Sequence, residues 1–287
     1  MPTRYWDFRT YLETMYPNFL NIFEEQHCVY PNTIDTKKAE LLWNELETNL
    51  TNIDEDTIVE RATKIDMGLE GGDIGVEDTL YKYFSNEYSY IKCLAKYLKQ
   101  WVRTIRIRDV KKKSSLITND SVYITFNYTA VLENVYGISP SNITHIHGSL
   151  RKYDTEPALG HGNYECIEHI LSKIKEAERS FDEKLISICR ALEDYYRVIY
   201  KDVNRYAIKL YWLDTKPVEE IYVVGHSLAG VDRFYFNIID KLTNKSLTWK
   251  VYYYRLDEKE KLRNNLLDVG VDHERIKLFS SMDFFDL

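Results

Sequence analysis

Three short runs of β-branched and aromatic residues, each ending in a polar cluster, constrain what this chain can fold into. Val122–Phe126 runs into Asn127, Tyr128 and Thr129, and Ile143–Ile146 into His147 and Gly148. Ile221–Val224 runs into Gly225, His226, Ser227 and Leu228. Runs this short, followed by helical spacing, read as strands feeding crossover helices. In an open parallel sheet the C-terminal strand ends share one edge, and ligands bind in the crevice outside it. Asn127, His147, His226 and Ser227 are therefore expected to converge, although the sequence holds them far apart.

The rest of the chain supports one α/β domain over residues 1–287. It divides into a helical part (1–110), a sheet part (120–160 and 218–287) and a helical insertion (164–215). Apolar residues at three- and four-residue spacing predict a helix over Phe8–Phe23, interrupted near Pro17, and helices over Lys37–Leu50 and Tyr88–Ile105. After Pro217 the alternation resumes. A strand at Ile221–Val224 precedes a helix over Val231–Leu242, a strand over Ser246–Tyr254, a helix over Glu258–Leu267 and a strand over Ile276–Phe279. Strands alternating with helices predict a mostly parallel sheet with large helical segments packed around it.

Charge and cysteine usage narrow the function classes. A net charge of −7 argues against general nucleic-acid or membrane-surface binding, because no excess positive field exists to collect phosphates. Six of the eleven residues Arg103–Lys113 are basic; they read as a solvated helix end and linker, since cations favour the negative pole of a helix. Cys28, Cys93, Cys166 and Cys189 lie far apart with no CxxC spacing, which fits reduced thiols. The N-terminus lacks the apolar core of a signal peptide, and no run approaches the ~20 apolar residues of a membrane span. A soluble, cytoplasmic protein is expected, with no metal site, since the histidines show no ligand spacing. Asp66–Asp78 holds Gly68, Gly71, Gly72 and Gly75 among five acidic residues. Those carboxylates would repel a phosphate, so the stretch reads as a mobile loop.

The polar clusters admit several chemistries. Gly225-His-Ser-Leu-Ala-Gly230 begins like the Gly-x-Ser-x-Gly nucleophile elbow, but its second glycine is displaced by one, and only His273 follows as a possible base. Ser227 as a hydrolase nucleophile is accordingly the weaker reading. The stronger one makes Gly225, His226 and Ser227 a nucleotide contact at the start of a helix, where backbone N–H groups and the dipole favour a phosphate or ribose oxygen. Asp232, in the first turn, either accepts from a sugar hydroxyl or only complements the dipole. Asn127 either caps its loop or presents its amide to a sugar or carboxamide. His147, beside Gly148, is a candidate general base. His161, between Gly160 and Gly162, sits where the backbone could pass close to a ligand; His145 is expected to be structural.

Taken together, Phe126–Tyr136, His145–Gly148, Leu159-Gly-His-Gly-Asn163, Gly225–Phe236 and the opening Pro2–Phe8 resemble the AbiH family of bacteriophage abortive-infection proteins. That family is similar to sirtuin-like, Rossmann-like NAD-binding proteins, in which a strand-end Asn and a strand-end His flank the nicotinamide ribose. The resemblance implies an antiphage protein that cleaves the nicotinamide–ribose bond of NAD, an NAD+ glycohydrolase, in response to a phage trigger. A non-catalytic sensor that binds NAD or ADP-ribose is the alternative. Asn127 and His147 match the catalytic positions and Ser227 a dinucleotide contact, and Tyr128, Gly148, His161, Gly225, His226 and Asp232 are the further candidate cofactor-binding residues. Family members open with a strand and a glycine-rich turn before Pro-Thr-x-Tyr. By that pattern a central strand and its phosphate-facing turn are missing ahead of Pro2. The resemblance implies that residues 1–287 alone are poorly soluble or inactive toward NAD, and that an exposed sheet edge favours self-association.

Overall fold

The computed structural model describes residues 4–64, 73–110, 113–152 and 154–285. The one domain read from the sequence divides into two compact units. Residues 2–101 and 158–201 form a helical unit, and residues 102–157 and 202–287 form an α/β unit.

In the helical unit, helices Tyr5–Met15 and Pro17–Gln26 are separated at Tyr16, which has φ −142° and ψ 54°. Proline disfavours the α conformation in the residue before it, so Pro17 breaks the chain where expected and then starts the next helix. The helix expected over Lys37–Leu50 is instead three short pieces. One α turn spans Asp35–Lys38, a π turn Ala39–Trp43, and a second α turn Leu46–Asn49. The break falls at Glu45 (φ −131°, ψ 54°), and Leu42, Trp43 and Leu46 are all buried across it.

Asp73–Asp78, read as loop, belongs to the helix Asp73–Tyr88, while Gly68, Gly71 and Gly72 lie outside the described residues, as do Pro2 and Thr3. Helical spacing over Tyr88–Ile105 is realised as a 3₁₀ turn, Ser89–Lys92, and an α-helix, Cys93–Thr104, with Arg103 in its last turn. The insertion supplies helices Glu165–Ser180 and Glu183–Val198, and the second packs against both the first and Asp73–Tyr88. Asp182 caps the second helix, accepting from the Leu185 N–H at 3.0 Å.

The α/β unit contains five strands, β1 (Tyr123–Thr125), β2 (Ile143–His145), β3 (Glu220–Val224), β4 (Thr248–Tyr253) and β5 (Ile276–Ser280). Every pairing among the described strands is parallel. The single expected sheet is two, however: β1–β2, and β3–β4–β5. β1 and β2 pair over only three residues, with Thr125 opposite His145, and the Ile146 N–H extends the ladder by bonding Thr125 O at 3.0 Å. The two sheets nevertheless share one core. Ile124 of the first sheet, with Phe126 and Ile146 just after its strands, joins Val223, Trp249, Val251 and Ile276 of the second, under Tyr235, Phe236 and Ile239 of the helix Arg233–Leu242. That helix and Lys259–Asp268 carry the crossovers from β3 to β4 and from β4 to β5, so the βαβ reading of the C-terminal third holds to within two residues at each strand.

Candidate functional site

β1, β2 and β3 each release a turn at the end where the parallel ladders finish, and the three turns meet. Phe126 follows β1, His147 lies two residues beyond β2, and His226 lies two residues beyond β3. The Phe126 ring centroid is 5.6 Å from that of His147 and 4.4 Å from that of His226, and it stacks on Phe236 at 5.4 Å. Tyr235 and Tyr206 close around His147 at 5.4 and 6.0 Å.

Asp232 joins the two histidines. His147 Nε2 donates to Asp232 Oδ1 at 2.6 Å, and His226 Nε2 approaches Asp232 Oδ2 at 3.3 Å. That carboxylate stands at the N-cap of the helix Arg233–Leu242, a position from which a negative charge complements the helix dipole. It makes no cap hydrogen bond there and turns to the imidazoles instead.

The partners fix the ring tautomers. The Leu228 N–H donates to His226 Nδ1 at 2.9 Å, so Nδ1 is an acceptor and the ring proton sits on Nε2, facing Asp232. A carboxylate only accepts, so His147 also carries its proton on Nε2. Its Nδ1, buried and without a hydrogen-bond partner among the described residues, is left as a bare lone pair. The Gly225–Gly230 turn holds this geometry in three left-handed residues, Gly225 (φ 66°), Leu228 (φ 60°) and Gly230 (φ 65°). A leucine with positive φ is strained, and strain of this kind persists only where its surroundings over-determine it. Leu228 is fully buried in the shared core, which supplies that determination.

The loop that bears His147 is held equally tightly. Gly148 has φ 79°, and a Cβ there would lie 2.3 Å from Thr155 O and 2.5 Å from Glu156 O. Ser149 N donates to Thr155 O at 2.9 Å, and its hydroxyl donates to Asp154 Oδ2 at 2.7 Å. Lys209 Nζ donates to His145 O (2.8 Å), Ile146 O (3.1 Å) and Thr155 Oγ1 (2.9 Å), tying down the two residues before His147. Burial lowers the pKa of that ammonium below its ordinary value, and nearby Asp154 opposes the shift. Nothing in the sequence around Lys209 marks it, because its role comes from a helical segment folding back onto the end of β2. His145 is buried, with Nδ1 on Asn127 O at 3.0 Å and Nε2 on Glu133 Oε1 at 2.9 Å.

The remaining residues named from sequence fall in three places. Asn127 and Ser227 lie on the turns of the cluster, with exposed side chains; Asn265 Nδ2 donates to the backbone oxygen of Ser227 at 2.8 Å. Tyr128, Gly148 and Gly225 are on the same turns, Gly148 buried and Gly225 exposed. His161 belongs to the helical unit. It is buried, with Nε2 on Tyr196 O at 3.0 Å, and its backbone pairs with Ile199 and Lys201. Gly160 lets that backbone close onto Ile199, whose oxygen a Cβ would meet at 2.3 Å. Burial lowers the His161 pKa, against the pull of the backbone oxygens of Tyr196 and Asn163. No group of three His, Cys, Asp or Glu side chains among the described residues is arranged to hold a metal ion. All four cysteines are free, and burial pushes the thiols of Cys166 and Cys189 up to about 11. No helix among the described residues is long and apolar enough to cross a membrane.

A carboxylate set between two histidines, at the C-terminal ends of parallel strands, defines an α/β protein with a site suited to moving a proton. The family model for bacteriophage abortive infection AbiH matches residues 1–253. The chain belongs to the AbiH family. No curated protein and no solved structure matches it.

Proposed function

We propose that the protein acts in abortive infection by phage, as its family does, and that the cluster at Asp232 cleaves the nicotinamide–ribose bond of NAD. The observation that carries this reading is the unpartnered Nδ1 of His147, backed through Nε2 by a carboxylate 2.6 Å away. An imidazole held in one tautomer by a carboxylate, with its second nitrogen free, is a general base.

In the proposed reaction the C–N bond breaks, its electron pair leaves with nicotinamide, and water adds to the ribose carbon. The proton lost by that water passes to His147 Nδ1, and Asp232 stabilises the imidazolium that results. Asn127, next to Phe126, is assigned to orient the water or the carboxamide. His226, Ser227 and the Gly225–Gly230 turn are assigned to the dinucleotide. The sirtuin-like architecture is part of the same proposal; the parallel strands and the strand-end position of the cluster support it.

Burial of His147 Nδ1 also favours a second reading, in which NAD or ADP-ribose binds at the strand ends without turnover. For catalysis the rings of Phe126, Tyr206 and Tyr235 must part; for sensing they need not. Two measurements on purified protein separate the readings: loss of NAD, and stabilisation by NAD, expected at ~2.7 kcal/mol when ligand stands at 100 times its dissociation constant. His147→Ala should lower turnover by about 10²–10⁴ with the fold retained. Equal NAD loss by wild type and this variant would exclude the catalytic reading, whereas stabilisation without turnover favours the sensor.

A further inference from the structure

We propose that the helical unit holds a binding site for a small carboxylate- or phosphate-bearing molecule, in the cavity where Lys38 presents a nearly buried ammonium. The cavity has a volume of about 220 Å³; Arg9, Glu13, Glu24 and Lys38 are its charged walls, and Pro17 and Leu20 are among its apolar ones. The site is independent of the NAD reading, since none of these residues belongs to the unit that carries His147.

The charge balance points to an anion. Arg9 and Glu24 neutralise each other through two bonds, Nε to Oε1 at 2.7 Å and Nη2 to Oε2 at 3.2 Å, and Trp43 Nε1 adds a third to Oε1 at 2.8 Å. Lys38 is then a second cation in the same place. Its side chain is 10% exposed, it makes no hydrogen bond among the described residues, and its nearest carboxylate oxygen, Glu24 Oε2, is 3.8 Å away. Three charges are buried and one positive charge is in excess. Glu13 does not cancel it: that carboxylate is 58% exposed and 3.3 Å from Arg9 Nη1. With its stem nine-tenths buried and no hydrogen bond to protein among the described residues, the ammonium has its donors left for the cavity, where an anion supplies both charge and acceptors. The size of the cavity, below the ~300–1,000 Å³ of drug-sized pockets, restricts the ligand to a short one. Its apolar walls favour a short hydrocarbon body behind the anionic group.

The test is calorimetric titration of the full chain with inorganic phosphate, acetate and benzoate, at constant ionic strength set with chloride. Saturable binding of at least one is expected, and the three probes separate phosphate from carboxylate recognition and show what the apolar walls add. Lys38→Met, which keeps the buried stem, should weaken binding by roughly tenfold or more. Glu13→Gln removes a negative charge from the rim and should strengthen it by about twofold or more; this variant tests the proposal even if Lys38→Met fails to fold. No saturable binding of any probe to the wild-type chain overturns the proposal. So does unchanged affinity in folded Lys38→Met, or in Glu13→Gln.

Discussion

At Gly148 and Gly225 two glycines with positive φ do different work, and a single added methyl group separates them. Both would strain an alanine, but only at Gly148 does the new Cβ meet backbone, at 2.3 Å from Thr155 O, while at Gly225 nothing lies within 4 Å. Gly225→Ala should therefore cost about 1 kcal/mol, the penalty of the left-handed conformation alone. Gly148→Ala should cost roughly 2–5 kcal/mol, because the strand-end loop must also move away from Thr155. Urea unfolding of the two variants checks the order, and equal costs would mean that the loop around His147 yields freely. Asp232 gives the sharper functional test. Asn in its place preserves shape but brings an amide donor to face one of the two imidazole N–H groups, so the proposed NAD turnover should fall by about 10²–10⁴. The strand-end position of His147 was readable from the apolar run that precedes it. Its pairing with Asp232 was not, because nothing local to either residue records that β2 and β3 end side by side.

Among the elements, those defined by local chemistry were legible and those defined by partners were not. The strand runs and the helix Arg233–Leu242 follow directly from hydrophobic period, and Pro17 marks its break through a steric rule that acts on the neighbouring residue. By contrast, the split of Lys37–Leu50 into α and π turns serves the burial of Leu42, Trp43 and Leu46 together. Helical periodicity alone does not distinguish that arrangement from a continuous helix. The separation into two sheets was likewise hidden, since a three-residue strand carries little information about which neighbour it lacks. The Ile208–Thr215 3₁₀ segment shows how an unmarked element can shape a site. It brings Lys209 to the carbonyls of His145 and Ile146. Lys209→Met would leave three acceptors without their donor, at a cost of about 1–3 kcal/mol. If Lys209 positions His147, the variant should also lower kcat for NAD more than it raises KM, whereas a purely structural role would leave kcat per folded molecule unchanged.

On the scale of the whole molecule, acid should act through the helical unit. His27 and His161 are both buried there, and desolvation lowers the pKa of each below its ordinary value, against the backbone oxygens that bond them. A buried neutral imidazole binds its proton less readily than the same residue in the unfolded chain. The unfolded state therefore takes up protons first, and falling pH favours it. Stability should be complete above the ordinary histidine range, near pH 6.5, and should decline as pH drops below it. The slope is up to about 1.4 kcal/mol per pH unit for each histidine, or roughly 2–3 for the pair. Hydrogen exchange along the helix Glu183–Val198, whose Tyr196 oxygen holds the His161 ring, reads this loss directly. His161→Gln, which retains a side-chain donor for that oxygen, should remove about half of the slope. Protection of this helix that stays constant, or rises, between about pH 7 and pH 5 would contradict the burial of both rings as neutral groups.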